Sequence, residues 1–434
     1  MATTTQGPAR PVKLTQKDVA TAAARHEMLY AGRMGGARAV FAFHDLSGLN
    51  LAGRNLADAD FTGCILEETN LSGARLDSAS FFCADLRRAN LSGASLRRAD
   101  MRGCSLRGAN LIGADLYEAD LREGAIADKD RYGNLRVRQH SGGPGSPSEM
   151  QTAIFSSANL ERAKMGGAAA AQADFSDAMM KGCRLIRANL RQARLVGANL
   201  ENADLSGCNL TGADLAGAVL IGTRFDAAVT DGADLSRTLT EDLAGRGLNE
   251  LKAPIDEILG AHARWVETDG REGKPADLTR TDLRKVKSLA HRALTALIAP
   301  GAVLYGINLE GCSLQGSNLQ DADLRSAKLA GADLRGVNLS GAKLNHADLR
   351  DTRVGPLMIT DARLLPARLD KCEARYTDFR GADLRRARLT GADLSYANFN
   401  DCDLRDTDTT GAEMTGTRLP TILVERLASA IASR

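Results

Sequence analysis

Cysteine and histidine are the residues of this chain that could bind a metal, form disulfides or supply a nucleophile, and it has eight of the first and six of the second. Their spacing argues against all three chemistries. Cys64, Cys104, Cys183, Cys208, Cys312, Cys372 and Cys402 each occupy the small inward place of a five-residue pattern, two before the large-residue place, where alanine is the usual occupant. That place calls for a small buried group, and free cysteine serves as one. Cys64 and Cys104 are forty residues apart, too far along such a repeat to bond or share a metal. Cys83, just after Phe81, is the exception, expected at an outward corner as the one thiol within reach of reagents. His26, His44, His140, His262, His291 and His346 form no HxxxH pair. GxSxG, GxxxxGK[ST] and a strand-borne GxGxxG do not occur. The expectation is no catalytic, cofactor-binding or metal-binding residue, no cofactor, and hence no enzyme.

The arginines are the remaining candidates. Arg87 and Arg107, Arg102 and Arg122, and Arg385 and Arg405 are each twenty residues apart, so a repeat of that length sets each pair on one face. Phosphate binding is one reading of such a row. The interleaved acids Asp85, Asp100, Glu123, Asp383 and Asp403 favour the other, a solvated ladder of ion pairs. For partner binding the candidates are Arg87, Arg107, Arg385 and Arg405, with Tyr132 and Arg136 from a stretch that leaves the repeat.

What positions these groups is clearest from Leu304 to Leu419. Leu309, Leu314, Leu319, Leu324, Leu329, Leu334, Leu339, Leu344 and Leu349 recur every fifth residue, with Ala322, Ala327, Ala332, Ala342 and Ala347 two places before the large residue. Asp or Asn often lies between, giving GADLR, HADLR and GADLS. A period of five fits neither an α-helix nor a flat strand. One small and one large inward place per five residues ask for a chain that turns a corner each time, so four corners and about twenty residues close one rung. The A-D/N-L-x-x pattern resembles the pentapeptide-repeat family. That resemblance implies an all-β solenoid, a right-handed quadrilateral β-helix, here expected in two columns with α-helical caps and a helical insertion between them.

In chain order, residues 1–13 are expected as a disordered tail and 14–36 as an N-terminal capping helix, with Thr15 as its cap. A first solenoid follows over 37–240, interrupted by a loop insertion at 127–154, where the phase breaks, Gly133-Asn134 suits a small hairpin, and the repeat resumes at Phe155. Residues 241–300 are expected as a helical cap and linker, one helix restarting near Pro254 and another spanning Lys285 to Ile298. The second solenoid is placed at 301–419, with a bulge where Leu357 takes a small-residue place, and a C-terminal helix at 420–434 serves as lid or dimer contact. The helix, turn and first alanine-leucine pair around His26 to Phe41 parallel those around His262 to Leu278, which reads as an internal duplication.

Net charge is +2 and aromatics are only 4% of residues, which speaks against a dedicated nucleic-acid binder. No run of eighteen apolar residues occurs and the first residues lack a signal peptide's apolar core, so a cytoplasmic protein away from membranes is expected. Two functions remain. One is a non-catalytic scaffold presenting rigid charged faces to an unidentified protein partner, as monomer or homodimer. The alternative is implied by the best-understood branch of the family, whose members mimic DNA, bind DNA gyrase and protect it from quinolones. Against it, residues 301–419 carry 16 basic and 17 acidic residues, no acidic excess.

Overall fold

Alternating small and large inward residues need a backbone that bends at every fifth position, and the corner that does this recurs throughout. At Leu56 to Ala59 the Ala59 amide donates to the Leu56 carbonyl at 3.1 Å, and Asp58 between them sits at φ 58°. A positive φ at the third residue of a four-residue turn is the type II arrangement. Glycine holds that place at Gly336 (φ 67°), but Asp, Arg, Ser and even Tyr396 (φ 61°) are also driven into it. The hydrogen bonds to neighbouring rungs, repeated at each level, hold the corner against its local cost.

The computed structural model describes residues 11–125, 127–129, 135–137, 148–286, 288–360 and 363–420. Two compact units divide the chain, residues 1–242 and 243–434. In the first, parallel bridges link residues twenty apart, as in Asn50, Asn70, Asn90 and Asn110, so four five-residue units bring the chain back over itself. The ladder runs from Val40 to Leu239. Inside, the large places stack, Phe61 on Phe81 at 4.8 Å and Phe155 on Phe175 at 5.0 Å, with alanines between. Burying those rows is the main stabilising term.

The first rung has no rung beneath it, and the N-terminal residues serve its backbone instead. Strand β1 (Val12–Lys13) pairs in parallel with β2 (His44–Asp45), so residues 12 and 13 belong to the fold rather than to a tail; the expected tail over residues 1–10 lies outside the described residues. Helix α1 (Gln16–Tyr30) begins at a capping box between Thr15 and Asp18 and buries Val19, Ala23 and His26. From it Gln16 exchanges two 2.8 Å bonds with the Asn50 backbone. Glu27 accepts from the Asn55 amide at 3.3 Å. His26 accepts from the Ala39 amide at 3.0 Å and donates to the Ala57 carbonyl at 2.8 Å.

The interruption of the first column is shorter than expected. Strands β3 (Ala127–Lys129) and β4 (Leu135–Val137) form an antiparallel hairpin, and the ladder resumes at Ser148, not Phe155, because Ser105 bridges Glu149. Ser148 takes the alanine place, fully buried, its hydroxyl donating to the Arg122 carbonyl at 2.9 Å, and Met150 takes the leucine place.

The second unit repeats the scheme. After a 3₁₀ turn at Leu248–Glu250, helix α2 (Ile255–Glu267) starts behind Pro254 and buries Leu259 and His262. The expected helix from Lys285 to Ile298 is absent. Its leucines satisfy both periods, but Leu289 and Leu294 donate to the Asn308 and Ser313 carbonyls at 2.8 Å, as rung residues do. The second coil therefore begins at Ala276 rather than at 301, with Asp277 bridging Ile298, and runs to Arg418. One extra residue between Leu283 and Leu289 shifts the phase there. The bulge expected at Leu357 is an inserted antiparallel hairpin, β5 (Leu357–Thr360) and β6 (Arg363–Leu365), and the ladder steps across it from Asn338 to Arg368. The C-terminal helix expected at 420–434 lies outside the described residues beyond Pro420.

Candidate functional site

Each D-L-R sequence folds its arginine back onto its own aspartate. In Asp383-Leu384-Arg385 the leucine points inward, so the residues on either side share the outer surface and their side chains meet. The Asp383 carboxylate accepts the Arg385 amide at 3.1 Å, Nε at 2.8 Å and Nη2 at 2.7 Å. Asp403 holds Arg405 the same way at 2.9 and 2.6 Å. These hydrogen bonds hold both carboxyls below the usual carboxylate range and push the guanidiniums up. Arg87 is clamped by Asp85 at 2.8 and 2.6 Å and reaches Glu67 at 3.4 Å, while Arg107 pairs with Glu149 at 3.1 Å. All four candidate arginines are thus ion-paired, as the ladder reading expects, although the closest partner is two residues away in the same rung more often than across rungs.

Arg385 and Arg405 also come together. With Arg335, Arg386, Asp383 and Asp406 they line a pocket of about 440 Å³ whose remaining wall is Gly355-Pro356, the root of the second hairpin. Arg87 and Arg107 share one corner of the first unit. Tyr132 lies outside the described residues, and Arg136 is placed only by its backbone, opposite Asp128 in the first hairpin.

The apolar surface beside this pocket was not legible as a site in the sequence. Leu357 and Leu365 lie on the corner at Gly336, where a Cβ would come within 2.7 Å of the Leu357 Cβ. The hairpin is otherwise open to solvent, with Met358 64% and Ile359 50% exposed. Its only signal was negative, apolar residues falling out of phase between Val354 and Ala367.

The thiols are less accessible than expected. Cys83 does sit on a left-handed corner, φ 54°, but is only 7% exposed. Arg102 lies over the neighbouring Phe82 ring at 5.1 Å, and Gly124 packs so tightly on Gly103, one rung on, that a Cβ there would meet its carbonyl at 2.6 Å. Cys402, in the last rungs, is the half-buried one. Among the described residues no group of His, Cys, Asp and Glu is arranged to hold a metal. No helix among them is long and apolar enough to cross a membrane.

A coil of five-residue units, four to a rung, is the architecture that pentapeptide repeats build. The family model for pentapeptide repeats matches eight times, at 45–81, 84–122, 153–192, 193–237, 302–341, 317–353, 367–406 and 382–419, more than half of the chain. The chain belongs to the pentapeptide-repeat family. Among solved structures, HetL, involved in heterocyst differentiation regulation in the cyanobacterium Nostoc, is 21% identical over 91% of this chain and 95% of its own, with a TM-score of 0.14. A pentapeptide repeat protein of the Arabidopsis thaliana thylakoid lumen is 29% identical over 31% of this chain and 66% of its own, TM-score 0.17. QnrB1, a plasmid-mediated fluoroquinolone resistance protein, is 13% identical over 60% of this chain and 92% of its own, TM-score 0.18. No curated protein matches the sequence.

Proposed function

We propose that this protein is a non-catalytic scaffold, each unit wound as a right-handed quadrilateral β-helix, which binds a protein partner in the cytoplasm. The observation that carries the reading is the second hairpin, which exposes Met358 and Ile359 beside the pocket of Arg385 and Arg405. Apolar side chains that cost free energy in water, rimmed by oriented arginines, have the composition of a protein-binding patch. Its rigid support suits binding, since little is lost in ordering it. The DNA-mimic alternative needs a face of unneutralised carboxylates, whereas the aspartates of the D-L-R sequences are each clamped by an arginine.

The test is affinity capture from the source cell with the full chain and with a Met358→Ser/Ile359→Ser variant, read by quantitative mass spectrometry. A protein retained by the first and depleted with the second is expected. Identical retention by both would overturn the role of the hairpin.

A further inference from the structure

Charge is balanced over the chain as a whole but not along the first column. Residues 161–200 hold seven Lys or Arg against three Asp or Glu, a local excess of four where the whole chain has +2. The sequence also removes the clamps there. The place before the large residue, which elsewhere carries the clamping aspartate, carries Lys164, Arg184 and Arg194, and Arg191 follows Asn189 instead of Asp. Of the seven, only Arg162 and Lys181 have an ion-pair partner among the described residues, Glu118 at 3.6 Å and Glu201 at 3.0 Å. Lys164, Arg184, Arg187, Arg191 and Arg194 are all exposed.

Two of these cations share a groove. Lys164 and Arg184 are bridged neighbours in one ladder, and with Arg98, Arg102 and Arg162 they line an open groove of about 780 Å³. Its acids are already taken: Asp100 by Arg102 at 2.7 Å, Asp120 by Arg122 at 2.7 Å, and Glu118 by Arg98 at 3.5 Å and Arg162. Like charges on adjacent rungs about 4.8 Å apart repel, and an anion seated between them removes the repulsion.

The surroundings say what kind of anion. The ladder through Lys164 and Arg184 has Asp100 and Asp120 on one side and Asp204 on the other. The ladder through Arg194 is bounded likewise by Asp174 and Asp214. The unclamped cations of each ladder span at most two rungs, about 5 Å, so a duplex running along the column would leave most of its phosphates beyond them, while a short acidic segment stays within the band. Single-stranded nucleic acid would need an aromatic platform. The rings that meet the groove's arginines are already covered, Phe82 by Arg102 at 5.1 Å and Tyr117 by the Arg97 guanidinium at 4.5 Å and that of Arg162 at 6.0 Å.

We propose that this groove binds a short acidic segment of a partner protein, with carboxylates seated on Lys164 and Arg184. The inference rests on the protein-binding reading above and adds a second contact, chemically unlike the hairpin. It is tested by fluorescence anisotropy of the full chain with a labelled Glu/Ser peptide of ten residues. A Lys164→Gln/Arg184→Gln variant, a Met358→Ser/Ile359→Ser variant and unlabelled duplex DNA as competitor complete the set. Both glutamine positions are exposed, and an unchanged melting curve confirms the fold. Saturable binding, weakened about tenfold by the glutamine variant and untouched by the hairpin variant, is expected. Equal binding by the glutamine variant, no binding by the wild type, or displacement by DNA at lower concentration than by unlabelled peptide would each overturn it. If that happens while hairpin-dependent capture persists, the acidic-segment inference alone falls; if capture fails too, the scaffold reading falls with it.

Discussion

At the scale of single residues, the small inward place is more than a gap for alanine. At several polar occupants the side chain donates to the carbonyl of a large-place residue one rung away: Cys64 to Phe41 at 2.7 Å, Thr69 to Leu46 at 2.9 Å, Ser317 to Leu294 at 2.9 Å, Cys402 to Phe379 at 2.6 Å. The donor relieves a buried oxygen that alanine leaves with fewer partners. Thr69→Val keeps the shape and loses the donor while the Leu46 carbonyl keeps the Leu49 amide at 3.1 Å, so urea unfolding should show a loss of about 0.5–1.5 kcal/mol. Burial pushes the Cys64, Cys208 and Cys372 thiols up to about 12. Native labelling with a maleimide, followed by mass spectrometry of the peptides, should therefore be slow everywhere, with Cys402 modified before Cys83. The clamps make a second residue-scale prediction. Asp348, Asp383 and Asp403 are held low by the arginines two places on. A depressed carboxylate contributes stability that is complete above its unfolded pKa of about 3.9 and is lost as pH falls through the folded value. Urea midpoints measured from pH 6 to pH 2 should fall mainly below about pH 4, and less steeply in an Arg385→Gln/Arg405→Gln variant.

At the scale of elements, the two cap helices are the same device used twice. His26 Nδ1 accepts the Ala39 amide at 3.0 Å, and His262 Nδ1 accepts the Ala276 amide at 3.0 Å, each at the first alanine of its coil. The turns match as well, Ala37 donating to the Arg25 carbonyl at 3.0 Å and Lys274 to the Ala261 carbonyl at 3.2 Å. Burial lowers the His262 pKa against the opposing pull of the Leu294 and Thr295 backbone. A buried neutral imidazole contributes stability that is full above its unfolded pKa of about 6.5 and declines as pH falls through it toward the lower folded value. The second cap should thus melt at a lower temperature at pH 5 than at pH 7, and His262→Asn, which keeps an acceptor but cannot titrate, should flatten that dependence. The second hairpin makes a further case. Gly336→Ala places a methyl where Leu357 lies, at φ 67°, so it should destabilise the protein by about 1 kcal/mol or more and loosen the hairpin, read as faster amide exchange at 357–365. The duplication was legible because histidine, glycine and the first alanine recur in the same order, thirteen residues separating His26 from Ala39 and fourteen His262 from Ala276. The run from Lys285 to Ile298 was misread because leucines at 289, 294 and 297 satisfy 3.6 and 5 alike, and only the partner rung decides between them. The hairpin was illegible because an insertion shows in a repeat as lost phase, without saying where the extra chain goes.

At the scale of the whole molecule, the repeat phase is redundant, stated dozens of times over, so a few departures did not hide the coil. Charge is different, because its total conceals its arrangement. A net +2 hides a band with an excess of four basic residues inside a chain that is otherwise slightly acidic, and the band appears only when residues are assigned to rungs. The same assignment separates the two functional readings. A DNA mimic must display carboxylates free to replace phosphates, whereas Asp348, Asp383 and Asp403 each face a guanidinium within 2.7 Å. The first unit adds exposed cations that would repel a DNA-binding surface. The most direct measurement is a gyrase supercoiling assay with the full-length chain added in stoichiometric amount, with and without a quinolone. Unchanged supercoiling and unchanged quinolone inhibition are predicted for a scaffold with clamped carboxylates; inhibition of gyrase, or its protection from the drug, would contradict the account.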